Sequence, residues 1–183
     1  MLIPTGKELI DPQVVLKAAD LREGQTVADL GCGSLGHYVF PAAATVGKEG
    51  KVYAVDILKS ALSAITGRIK LEGISQVEPL WGNIERLGGI PVKDETLDHA
   101  LIVNNLFLAK DKILLGQEAF RLLKSFGRLT VVDWKVGGAP FGPSPAQRVN
   151  EDQARMTMQT AGFRFMKSFS PGPYHYGLVF EKS

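Results

Sequence analysis

At 183 residues, with a hydrophobic share of 45% and a mean hydropathy of +0.04, the chain is the size of one domain spanning 1–183 and can bury a substantial core. Its 21 basic and 19 acidic residues leave a formal net charge of +2, too balanced to indicate nucleic acid by charge alone. One cysteine excludes an internal disulfide and suits a reducing cytoplasm, and neither a membrane-spanning apolar run nor the basic-then-apolar pattern of a secretory leader is expected from residues 1–7 or beyond.

Asp11-Pro12 opens the first predicted helix, an N-cap acceptor before a proline, and Val14, Val15, Ala18 and Ala19 follow at helical spacing. That helix is expected at the sheet edge or over a ligand mouth. A strand to Leu30 runs into glycines at 31, 33 and 36, and residues 37–46 suit a helix because Pro41 falls in or near its first turn. The second strand, over 51–55, places Asp56 at its carboxyl end, and Leu62, Ile65 and Ile69 mark one face of the helix that Gly73 closes. Residues 77–80 form a short third strand, followed by Trp81-Gly82-Asn83-Ile84-Glu85 and a loop through Gly88-Gly89-Ile90-Pro91. The near-continuous apolar run at the end of 97–103 predicts a strand buried on both faces, with Asn104-Asn105 at its end. A helix over 110–124, a turn at Ser125-Phe126-Gly127 and a strand over 128–133 come next.

Residues 135–149 change character. Glycines at 137, 138 and 142 and prolines at 140, 143 and 145 forbid regular structure, and a loop this long suggests a lid on the substrate side. Asn150 and Gln153 form a capping-box pattern for a helix ended by Gly162, and strands over 163–169 and 174–180 flank Ser170-Pro171-Gly172-Pro173 as a hairpin. Regular alternation of strand and helix argues for an α/β, doubly wound and mostly parallel seven-stranded sheet with right-handed crossovers and a C-terminal antiparallel hairpin.

The chemistry concentrates in Val27 to Gly36. An apolar strand ending in Gly31, Gly33 and Gly36 brings backbone close to a ligand before a helix begins, and the spacing alone also matches a dinucleotide fingerprint. Asp29, two residues before the first glycine, separates the readings: its carboxylate repels a pyrophosphate and attracts an ammonium. S-adenosylmethionine carries an ammonium, a sulfonium and no phosphate. Asp56, 20 residues after Gly36, suits both ribose hydroxyls of either ligand.

Asp29-Leu30-Gly31-Cys32-Gly33-Ser34-Leu35-Gly36, followed by Val52-Tyr53-Ala54-Val55-Asp56, resembles motif I and the next acidic strand end of class I S-adenosylmethionine-dependent methyltransferases, and most of all their small-molecule branch of the ubiquinone/menaquinone-biosynthesis type. The resemblance implies a Rossmann-like methyltransferase fold, S-adenosyl-L-methionine as cofactor and a small-molecule methyl acceptor. It places Asp29, Gly31, Cys32, Gly33, Ser34 and Gly36 at the methionine end, Asp56 and Ile57 at the ribose, and Asn83 and Ile84 at the adenine. Asn104 faces the reacting centre, with Leu106 also at the cofactor.

Other residues carry weaker signals. Cys32, between glycines, reads as a packing residue, His37 as a wall of the pocket and His99 as a hydrogen-bonded interior or edge residue, while His37, His99 and His175 are too scattered to be read as a metal site. Asn104 and Asp133 are oxygen ligands at successive strand ends, but Trp134 stands where catechol-type enzymes have a metal-binding asparagine. Asn104-Asn105-Leu106-Phe107 lacks the prolines of enzymes that grip a flipped base, and Lys110, Lys112, Arg121, Lys124 and Arg128, interrupted by Asp111 and Glu118, read as a solvated face. Tyr38 and Trp81 are candidate aromatic faces for a cationic methyl group. An RNA or protein methyltransferase, or a non-catalytic cofactor binder of the same fold, are the alternatives. The acceptor, the need for a base and the oligomeric state are not legible.

Overall fold

The structure, a computed structural model, describes residues 9–137 and 139–183. Seven strands form one sheet in the order β3-β2-β1-β4-β5-β7-β6. β1 (Thr26–Leu30), β2 (Lys51–Asp56), β3 (Val77–Trp81), β4 (Leu97–Val103) and β5 (Leu123–Trp134) run parallel, and β7 (His175–Lys182) is antiparallel to both β5 and β6 (Phe163–Gly172). The fold expected from the sequence is therefore observed, with strand order reversing between β1 and β4, where α/β sheets open a ligand crevice.

Alternation along the strands builds two cores. Val27, Val52, Ala54, Leu101 and Val103 face α1 (Pro12–Ala19), α2 (Val39–Val46) and α3 (Lys59–Glu72), while Ala28, Leu30, Ala100, Ile102 and Val131 face α4 (Lys112–Leu122) and α5 (Glu151–Thr160). β1 and β4 are buried on both faces, which is why they read as continuous apolar runs. Side chains cap the helices as the sequence suggests: Asp11 accepts from the Gln13 N–H and Asn150 from the Gln153 N–H.

Several boundaries move: α4 spans Lys112–Leu122, and β6 runs on through Gly172, so residues 170–172 of the expected hairpin connection are strand. α2 starts at Val39, so residues 33–38 form turns and Pro41 falls in the first helical turn, where its missing N–H breaks no helical bond. The turn expected at 125–127 instead lies inside β5, where Phe126 adopts a left-handed φ of +63°.

Candidate functional site

Two cavities open at the carboxyl ends of β1, β2 and β4 and meet at Gly31. The larger, about 420 Å³, is walled by Asp29, Cys32, Gly33, Ser34, Tyr38 and Asn104, with Leu9, Ile10, Leu35, His37 and Val103 completing it. The smaller, about 180 Å³, is walled by Asp56, Ile57, Gly82, Asn83, Ile84, Glu85, Asn105 and Leu108. Of the predicted cofactor residues, Gly36 and Leu106 line neither. Leu106 is fully buried in the core under α4, and Gly36 lies where a Cβ would stand 2.6 Å from Ile65 and 2.7 Å from Phe40, so it serves the packing of the loop on α3.

The glycines thus have separate reasons. Gly31, at φ +87°, leaves room for the Asn105 carboxamide, 2.5 Å from where a Cβ would stand. That amide donates to the carbonyls of Leu30, Gly31 and Val103, tying β1 to β4 beneath the loop. Gly33, at φ +64°, has no heavy atom of the described residues within 4 Å of its missing Cβ, so it keeps open space above the backbone.

Among the described residues, three buried oxygens on the larger wall have no hydrogen-bond partner: Asp29 Oδ2, Asn104 Oδ1 and the Tyr38 hydroxyl. Asp29 is 2% exposed, and burial, reinforced by the nearby Asp56 carboxylate, pushes its carboxyl up to about 7. Burial likewise raises the Tyr38 hydroxyl, and raises the Cys32 thiol with help from Asp29 and Asp56, so Cys32 stays a protonated, unreactive wall residue. Asn104 sits at φ +54°, a conformation asparagine tolerates better than most residues.

On the smaller wall, Asp56 accepts from the backbone N–H of Gly33 and Leu58, both at 2.9 Å, and thereby joins the glycine loop to the end of β2. Asn83 Oδ1 already accepts from the Glu85 N–H, which leaves its NH₂ as the uncommitted half of the amide. Behind it, fully buried Glu118 accepts from Gly88 and Ile90 and pairs with Arg121, which also donates to the carbonyls of Ile90 and Val92. Glu118 and Arg121 therefore anchor the loop after β3 rather than forming a solvated face. Their three-residue spacing on a helix was the available signal.

Other expectations are corrected. Trp81 is 52% exposed, donates its indole N–H to the Ile57 carbonyl and lines neither cavity. Asp133 is fully buried, accepting from the N–H groups of Phe107 and Trp134, and burial pushes its carboxyl up to about 6. It secures the turn after β4 and does not join Asn104 at a cavity wall. Described residues of 135–149 contribute nothing to either wall. Buried Arg148 stacks on Trp134 and donates to the carbonyls of Lys135, Ala139, Phe141 and Pro143, which fastens the loop to the end of β5.

A family model described as a methyltransferase domain matches residues 21–168. The chain belongs to the class I S-adenosylmethionine-dependent methyltransferases. The chain is 29% identical to a SAM dependent methyltransferase from Aquifex aeolicus, with a TM-score of 0.90 over 99% of this chain and 94% of that one. It is 35% identical over 136 residues to the ubiquinone/menaquinone biosynthesis C-methyltransferase of Escherichia coli, covering 73% of this chain and 52% of the relative. An arsenite methyltransferase of Halobacterium salinarum is 33% identical over 125 residues, covering 67% of this chain and 30% of the relative. The chain thus spans about half or less of the length of these two curated relatives.

The cofactor of this family is S-adenosylmethionine, and the joined cavities fit it. Orphaned acceptor oxygens on one wall suit an ammonium, and the open space at Gly33 suits a ligand lying over the backbone. Among the described residues neither wall carries a lysine or arginine that a pyrophosphate would seek. No described helix is long and apolar enough to cross a membrane.

Proposed function

We propose that residues 1–183 act as one domain that transfers a methyl group from S-adenosylmethionine to a small, uncharged organic acceptor, in the cytoplasm, where a chain with one cysteine meets no need for disulfides. The observation that carries the reading is the set of three unpartnered buried oxygens, of Asp29, Asn104 and Tyr38, on one cavity wall. Buried polar atoms are ordinarily paired, so a wall of unpaired acceptors fits a ligand that brings donors and positive charge. Bound there, the cofactor supplies a methyl group on a sulfonium, open to in-line displacement.

The chain's own contribution is alignment. Asp29 and Asn104 take the ammonium, while the Cys32, Gly33 and Ser34 backbone follows the methionine. Asp56, held rigid by Gly33 and Leu58, takes the ribose hydroxyls, with Ile57 beside them. Ile84 lies against the adenine, and the free NH₂ of Asn83 donates to a ring nitrogen, since its oxygen is already engaged. Holding the reacting atoms in line is the largest part of what a protein supplies for such a displacement. The acceptor enters past Leu9, Ile10, Leu35 and Val103, a wall suited to an apolar body, with His37 the imidazole in reach of an acidic proton.

The relatives are named for quinone-type and arsenite substrates. Cys32, buried and held protonated, offers no thiolate to a thiophilic arsenic centre, which favours carbon or oxygen acceptors. Isothermal titration with S-adenosylhomocysteine, followed by turnover of methyl-labelled cofactor with phenolic, enolic, thiol and amine acceptors and with RNA and protein, tests the reading. Labelled phenolic or enolic product supports it. Labelled RNA or protein only, or binding with no product from any acceptor, refutes it.

A further inference from the structure

At the opposite end of the sheet, where β1, β4 and β5 begin, a cavity of about 240 Å³ shares no residue with the cofactor site. Three cations stand around it. Arg22 and Arg128 both hold Asp20, at 2.7 and 3.0 Å, and Lys124 holds Asp98 at 2.8 Å. Two carboxylates against three cations leave one positive charge over, and the pairs are exposed enough to exchange partners readily. Arg128 reaches Asp20 through Nη1, and Lys124 Nζ has one carboxylate partner, so among the described residues both keep donors uncommitted.

Two further observations point to a ligand. His99, on the wall of the cavity, is 3% exposed, and its Nδ1 has no hydrogen-bond partner among the described residues; a buried ring nitrogen left unpaired is unfavourable until something pairs with it. Phe126 is 74% exposed at the same cavity and sits at φ +63°. A bulky side chain in the left-handed region is strained, and strain of this kind gathers at binding sites. The strain displays an aromatic face beside the cations.

We propose that this rim binds a phosphate monoester carrying a flat ring, with Arg22, Lys124 and Arg128 on the phosphate oxygens, the His99 imidazole completing the set and the ring against Phe126. A phosphate monoester brings three acceptor oxygens and close to two negative charges, which matches several convergent donors better than a carboxylate does. Asp20 and Asp98 hold the cationic groups in place, and Phe126 supplies the stacking surface.

The test uses guanosine monophosphate with the cofactor site saturated by S-adenosylhomocysteine, so that the purine is kept from the cofactor pocket. Amide chemical-shift mapping should give saturable shifts at Ser125, Phe126 and Gly127 and none at Gly31 or Gly33. The double variant Arg22→Ala/Arg128→Ala should weaken binding by about tenfold or more, the scale of lost charge-assisted bonds. Inorganic phosphate should bind more weakly than the nucleotide, and Phe126→Gly, which suits the left-handed backbone and leaves the rim folded, should erase that difference. No saturable shift at Phe126, unchanged affinity in the double variant, or equal affinity for phosphate and nucleotide in the unaltered protein would each overturn the assignment.

Discussion

Replacing Asp29 with asparagine keeps the shape of the cavity wall and removes its charge. Burial, and then the Asp56 carboxylate, opposes its ionisation and pushes the carboxyl up to about 7 from an ordinary 3.8. For an acid whose folded value is raised, the cost to folding is absent below the unfolded value and grows as pH climbs toward the folded one. Integrating between the two gives about 2 kcal/mol near pH 5.5 and about 4 kcal/mol near pH 8. Asp29→Asn should therefore stabilise the ligand-free protein, and by about 2 kcal/mol more at the higher pH than at the lower. Asp133, also raised, titrates in both proteins and cancels in the difference. Cofactor binding should move the other way, weaker by about 1.5–3 kcal/mol through loss of the charge-assisted bond. Denaturant unfolding at the two pH values, paired with calorimetric titration of S-adenosylhomocysteine, measures both. A stabilisation independent of pH, or an unchanged affinity, would refute the assignment of Asp29 as a buried anion kept for a cation.

Asp56→Ala should weaken calorimetric cofactor affinity by about 1.5–3 kcal/mol and also lower stability by about 1–3 kcal/mol, since the Gly33 and Leu58 N–H groups lose their acceptor. Gly31→Ala and Gly33→Ala should part company. The first meets the Asn105 carboxamide and should cost about 2–3 kcal/mol in denaturant unfolding, whereas the second meets no atom of the described residues, costs about 1–2 kcal/mol of backbone strain and chiefly abolishes cofactor binding. Glu118→Gln removes the buried carboxylate that holds Arg121 and the loop after β3, leaving Arg121 only the exposed Asp94, and should cost about 1–3 kcal/mol, read from the thermal midpoint. Phe126→Gly should raise stability by up to about 1 kcal/mol, because relief of about 1–2 kcal/mol of left-handed strain exceeds the extra entropy of an unfolded glycine.

What the sequence reveals most directly is whatever local patterning controls. Residues 97–103 read as a central strand because both faces are buried, and Asp29 and Asp56 announce themselves as carboxylates closing strands that the fold then sets side by side. Side-chain destinations set by distant partners are hidden. Arg121 looks like one of several surface cations until the carbonyls of Ile90 and Val92 arrive from another segment. Asp133 looks like a pocket residue until the turn after β4 folds its N–H groups onto it. Residues 135–149 read as a lid because glycine and proline exclude regular structure. Arg148, the side chain that fastens the loop, finds its acceptors in backbone carbonyls, which no residue pattern encodes.

Placing the two acidic strand ends together has an electrostatic consequence that selects the ligand. Asp56 raises the cost of ionising Asp29, so the ligand-free site holds less negative charge at neutral pH than its composition suggests. An arriving ammonium reverses this, because a cation beside Asp29 restores the ionised form and releases the remaining proton to solvent. Uptake of a cationic nucleoside is then coupled to proton release and strengthens as pH rises through the neutral range. A phosphorylated dinucleotide meets the opposite sequence: it must either approach an ionised Asp29 or hold it protonated, and the described walls offer no lysine or arginine in exchange. The glycine spacing admits both ligands on shape, and on the proposed reading the buried carboxylate rejects one of them on charge.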